Sequence, residues 1–134
     1  MSIYEAAAVS TSRAILPMAH PLPESVIRAE WENAVKSFSP SKSQKSAEKP
    51  CPRHVFLYLY ENGYIRGIPK CSATFHVTPK NANYAQKARD ELIASRSPAP
   101  YTSKSALWTR IGATETYNCQ IDVVVGLYNA GLLI

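Results

Sequence analysis

Residues 51–65 recur, 68 positions later, as residues 119–133. Cys51, Val55, Leu59, Tyr60 and Gly63 return unchanged as Cys119, Val123, Leu127, Tyr128 and Gly131. Phe56, Leu57, Tyr64 and Ile65 are answered by Val124, Val125, Leu132 and Leu133. Apolar positions that recur with a common glycine after them imply one structural unit used twice. Each copy reads as an apolar helix that the glycine ends, because glycine alone adopts the left-handed conformation after a last helical turn without strain.

The agreement extends outward. Tyr4 and Ala8 sit four apart near the start of the chain, as do Tyr84 and Ala88 later. A proline-rich break follows each pair, then a stretch carrying a lone tryptophan, Trp31 or Trp108, and then the apolar helix. Helices are expected over residues 3–16, 24–38, 52–62, 78–96, 103–111 and 118–130. The second carries Ile27, Trp31, Ala34, Val35 and Phe38 at helical spacing. Thr78-Pro79 reads as an N-cap and first helical residue, and Asn118 as the cap of the last helix. Residues 39–50, rich in serine, lysine and proline, have little to bury and are expected to form a mobile loop. Alternation over residues 74–77 suggests a short strand.

The expected fold is therefore mainly α. About six helices form two pseudo-repeated three-helix units with at most a short strand or two. A chain of 134 residues suits a single compact domain, with one unit in residues 1–66 and the other in 78–134. A helix ending in Leu-x-x-x-Gly before two apolar residues also resembles the close of a winged-helix motif. In DNA readers such a helix offers polar side chains to base edges. Here the first copy offers Arg53, His54, Tyr58, Glu61 and Asn62, and the second Gln120, Asp122, Gly126 and Asn129. Neither set is rich in arginine and both include acids, so packing or protein contact is the better expectation.

The net charge of +5 is concentrated in the middle. Residues 1–35 sum to −2, residues 36–80 to +6 and residues 81–134 to +1. Lys42, Lys45, Lys49, Arg53, Arg66 and Lys70 are the candidate partner-binding residues, and an anionic partner is the kind they would attract. A protein partner leads, with nucleic acid as the alternative. No run approaches the roughly 18 apolar residues of a membrane span, and the start lacks the pattern of a secretory signal. Three cysteines cannot all pair within one chain, which favours reduced thiols and a cytoplasmic protein.

Cys51, His54, Cys71 and His76 have the spacing C-x2-H-x16-C-x4-H, a possible tetrahedral zinc set. Against it, the second copy places Asp122 where His54 stands, and Cys51 suits a small buried position at a helix start. Neither a metal nor a cofactor is expected. No glycine-rich phosphate loop, His-Glu-x-x-His or Gly-x-Ser-x-Gly occurs, and adjacent Asp90 and Glu91 diverge around a helix. Cys71 with His76 is the remaining catalytic candidate, and the expectation is a non-enzyme.

Cys51-Pro52, Phe56-Leu57, Leu59, Gly63, Gly67-Ile68-Pro69, Asn83-Tyr84-Ala85, Leu107-Trp108, Asn118, Gln120, Asp122-Val123-Val124 and Leu127 resemble, in this order, a small bacterial family of unknown function. The resemblance covers most of residues 51–134. It implies an intracellular bacterial or phage-borne protein and supplies no activity, cofactor or catalytic residue. His54 and His76 lie outside its pattern.

Overall fold

In the computed structural model, which describes residues 1–71 and 74–134, the order is α1 (Ile3–Ile15), α2 (Glu24–Phe38), α3 (Gln44–Glu48), α4 (Pro50–Glu61), α5 (Pro79–Ser95), α6 (Lys104–Arg110) and α7 (Gln120–Asn129). The protein is mainly helical, with no sheet among the described residues. Residues 74–77 alternate in sequence but form no strand, because no neighbouring strand offers them a ladder. Residues 72 and 73 of the same connector lie outside the described residues.

The expected boundaries mostly hold. Ser2 caps α1 and Thr78 caps α5, each side chain accepting the backbone N–H three residues on, while Pro79 opens α5. Two expectations fail. Asn118 does not cap α7; that position belongs to Cys119, whose φ is +66°, while the Asn118 N–H donates to the Gln120 side chain. Residues 39–50 are not merely a loop, since they contain α3. Ser43 caps it, and its Ala47 is wholly buried.

α4 and α7 end alike. The Asn62, Gly63 and Tyr64 N–H groups donate to Tyr58, Tyr60 and Leu59 carbonyls; those of Ala130, Gly131 and Leu132 donate to Gly126, Tyr128 and Leu127. All six residues keep the 68-residue offset, and both glycines are left-handed, at φ +74° and +73°. This is the Schellman closure that the shared glycine permits. The chain then does something the sequence did not disclose. Ile65 and Leu133, the equivalent residues, form an antiparallel bridge with each other. The Arg66 N–H donates to Leu132 O at 2.7 Å and the Ile134 N–H to Tyr64 O at 3.0 Å. The residues that would open a wing in a winged helix thus join the two copies to one another.

α1 packs against α2 and α7, while α5 packs against α4 and α7, and α4 and α7 touch directly. The greasiest helices therefore lie side by side, as expected. Tyr4 stacks with Trp31 at 6.4 Å between α1 and α2; Tyr84 meets Trp108 at 4.7 Å between α5 and α6. Buried residues from Tyr4 to Leu133 form one continuous core. α1 thus lies on α7, and α5 on α4. No helix among the described residues is long and apolar enough to cross a membrane.

Candidate binding site

Helix α3 is too short to stand alone, and side chains from elsewhere bond to its C-terminal carbonyls. The Tyr4 hydroxyl donates to Ser46 O at 3.1 Å, and the Arg53 guanidinium to Glu48 O at 3.2 Å. Arg53 is therefore buried, and burial, followed by the charge of Arg28, lowers its pKa from the ordinary arginine value. It is a structural residue rather than a contact residue. Between α3 and α1 lies a cleft of about 600 Å³ lined by Tyr4, Lys45, Ser46, Glu48, Lys49 and Pro50.

Lys49 joins α3 to α4. Its ammonium lies 3.7 Å from Cys119 Sγ and 5.6 Å from the centre of the Tyr4 ring. Glu48, the acid of the cleft, accepts from the Gln44 amide at 2.6 Å. A second polar cluster joins two buried acids, Glu5 and Asp122, to Lys104 and Tyr117 nearer the surface. The Lys104 ammonium is hydrogen-bonded to Glu5 and lies 3.5 Å from Asp122, while the Tyr117 hydroxyl donates to Asp122 and accepts its N–H at 2.9 Å. Glu5 and Asp122 are 8% and 4% exposed, so Lys104 is the counter-ion that lets both remain inside.

These surroundings set the proton affinities. Burial pushes Lys104 down, but the Glu5 hydrogen bond and the Asp122 charge outweigh it, so its pKa is raised. Burial, then the Asp122 hydrogen bond and charge, raise Tyr117 far above a free tyrosine. Burial and Asp122 raise Cys119 against the opposing pull of Lys49, which keeps it a thiol, the reverse of nucleophilic activation. All three groups hold protons in the folded chain that the unfolded chain releases. Stability is therefore complete below the unfolded values, and falls as pH climbs past about 8.5 for Cys119 and about 10 for Tyr117 and Lys104. Urea midpoints at pH 7.5, 9 and 10.5 should decline in that order, and Tyr117→Phe should flatten the decline. A profile level to pH 10.5 would contradict this electrostatic account.

The remaining sequence candidates disperse. Among the described residues, no three His, Cys, Asp or Glu side chains gather as metal ligands. Cys51 is half-buried, His54 Nδ1 accepts from the Thr78 N–H at 3.3 Å, and Cys71 is buried. The His76 ring is 97% exposed and faces Glu24 at 3.6 Å, so the zinc spacing does not become a site. Burial, then Arg53, lowers the His54 pKa, consistent with a neutral acceptor. Neither proposed base-reading face is free. Arg53, Gln120, Asp122 and Gly126 are buried; Tyr58 donates to Gln86; Glu61 accepts from the Phe75 N–H; Asn62 and Asn129 bond to Tyr58 O and Tyr101 O. Arg66 is exposed, but its Nε donates to Gly131 O at 2.9 Å and secures the bridge. Lys42, Lys45 and Lys70 are exposed.

The cluster of Glu5, Lys104, Tyr117 and Asp122 escaped the sequence reading. Its signal was there: Asp122 interrupts an apolar run from Ile121 to Val125, and an acid inside such a run must enter the core and find a cation.

Fold and site together define a mainly helical protein with a lysine-bearing cleft between its first and third helices. The whole chain, residues 1–134, matches the model of a family described as "Family of unknown function (DUF6979)", and it belongs to that family. The match includes residues 1–50, which the resemblance noted from sequence barely reached. Neither a search of curated proteins nor one of solved structures gave a match.

Proposed function

We propose that this protein is a non-catalytic binding module for a protein partner, engaged at the cleft beside α3. On this reading it is a cytoplasmic component of bacterial or phage origin, with a regulatory or defence role. The observation that carries the proposal is the cleft itself: a preformed concavity of about 600 Å³ with lysines at its edge, in the most basic third of the chain. Lys42 and Lys45 extend its contact surface; Arg53 supports the fold beside it, and Arg66 secures the bridge past the far end of α4. The architecture behind the cleft is one domain made by duplicating a three-helix unit, with α1, α2 and α4 answering to α5, α6 and α7. The matched helix closures, the Tyr–Trp pairs and the Ile65–Leu133 bridge support that duplication. Each unit is winged-helix-like only through its closing helix, its glycine and the bridging residue after it.

The test is a comparison of partners captured from a lysate by the full chain and by Lys45→Glu, with equal helicity of the two confirmed by circular dichroism. A defined protein held by the wild type and lost by the variant is expected. Equal capture by both would remove the cleft from the proposal. Capture abolished by nuclease, with affinity falling steeply as salt rises, would replace the protein partner with nucleic acid.

A further inference from the structure

We infer that the anchor of this cleft is Lys49 and that its ligand is a carboxylate, carried by an acidic side chain of the partner. The inference rests on the binding-module reading and specifies what that module recognises. Lys49 is half-buried, and a cation withdrawn from water requires compensation. Its two close neighbours, the Cys119 sulfur and the Tyr4 ring face, carry no full negative charge, since Cys119 is held as the thiol. Lys104, also half-buried, shows how this protein compensates such an ammonium elsewhere, with two carboxylates. Those two acids are committed to Lys104, and among the described residues neither Glu48 nor any other carboxylate lies within ion-pairing distance of Lys49.

The donors present also select the anion. They are ammonium groups, Lys49 within and Lys45 at the edge, without an arginine fork. Two nearby backbone donors are taken, Ser46 N–H by Ser43 Oγ and Lys49 N–H by Ser46 O. Two point charges without an arginine fork suit a singly charged carboxylate better than a phosphate, which is usually gripped by several directed donors. Tyr4 and Pro50 then offer apolar surface to the methylene groups that carry the acid.

The experiment titrates the isotope-labelled full chain with acetyl-tetraglutamate amide, its glutamine counterpart and inorganic phosphate, followed by NMR. The glutamate peptide should shift Tyr4, Ser46, Lys49 and Cys119, while the glutamine peptide leaves them in place. Lys49→Met keeps the stem and removes the charge, and should weaken the glutamate peptide about tenfold, the loss expected for one charge-assisted contact. Lys70→Gln, outside the cleft, should change it less than about twofold. Shifts centred elsewhere, equal weakening by Lys70→Gln, or no effect of Lys49→Met would overturn the site. Phosphate binding more tightly than the peptide at these residues would overturn the carboxylate assignment. If these shifts occur while Lys45→Glu still captures the same proteins, the anion site stands and the cleft is removed from the binding-module reading. The converse pattern keeps the module and removes Lys49 as its anchor.

Discussion

Gly126→Ala should lower the stability of the folded chain by about 2 kcal/mol, although the same change in an isolated helix would raise it by about 1 kcal/mol. Gly126 lies within α7, where α1 crosses it. A methyl group there would stand 2.8 Å from both Glu5 Cα and Glu5 O, and 3.0 Å from Glu5 Cβ. Two of those contacts are with backbone, which cannot rotate aside as a long side chain would. Relief requires α1 to retreat from α7, taking Glu5 from Lys104 and Tyr4 from Trp31. For a chain of this length the loss corresponds to a fall in Tm of roughly 8 °C. Calorimetry of the single variant checks it; an unchanged or higher Tm would mean that α1 is not seated on α7 at this distance.

The same glycine illustrates what sequence alone conveys. Its counterpart in the repeat is Tyr58, half-buried on α4 and bonded to Gln86. Pattern comparison ranks Gly126 as a mismatch and places it on an exposed face. The glycine instead makes room for a helix more than a hundred residues distant, a tertiary fact that local periodicity does not encode. Helix ends were legible because their causes are local: Thr78 before Pro79, Gly63 and Gly131 after apolar turns. Helix α3 was not, since its single buried apolar residue, Ala47, leaves no periodic signal, and donors from Tyr4 and Arg53 complete it. The same reason removed Arg53 from the contact surface. A basic residue in a basic segment reads as solvent-facing unless the carbonyl it satisfies is known. Lys45 and Lys49 stayed candidates and proved to line one cleft, while Cys51, His54, Cys71 and His76 matched a spacing that the chain does not fold into a site.

Trp31→Ala should be the most damaging single substitution in the first half, costing about 3–5 kcal/mol. The side chain is fully buried, stacked on Tyr4 and tilted against Phe56 at 5.4 Å, so it joins α2 to α1 and to α4. Truncation leaves a cavity enclosed by three helices that are already fixed by other contacts, and little collapse can refill it. Trp31→Phe should behave differently. The indole N–H of Trp31 has no acceptor, so the wild type already bears the cost of a buried unsatisfied donor, about 1–3 kcal/mol. Phenylalanine removes that donor while retaining an aromatic ring, so the two effects oppose, and a net loss below about 1.5 kcal/mol is expected. Trp108, its counterpart, donates to Glu115 O at 3.3 Å and lies nearer the surface. There, Trp→Phe sacrifices a satisfied hydrogen bond instead of an orphan, and no such compensation applies. Urea denaturation of the three variants should therefore rank Trp31→Ala as least stable, with Trp31→Phe closest to wild type. If Trp31→Phe proved as harmful as Trp31→Ala, the indole nitrogen would have a partner in solution, and the tight Tyr4–Trp31–Phe56 stack would have to open to admit it.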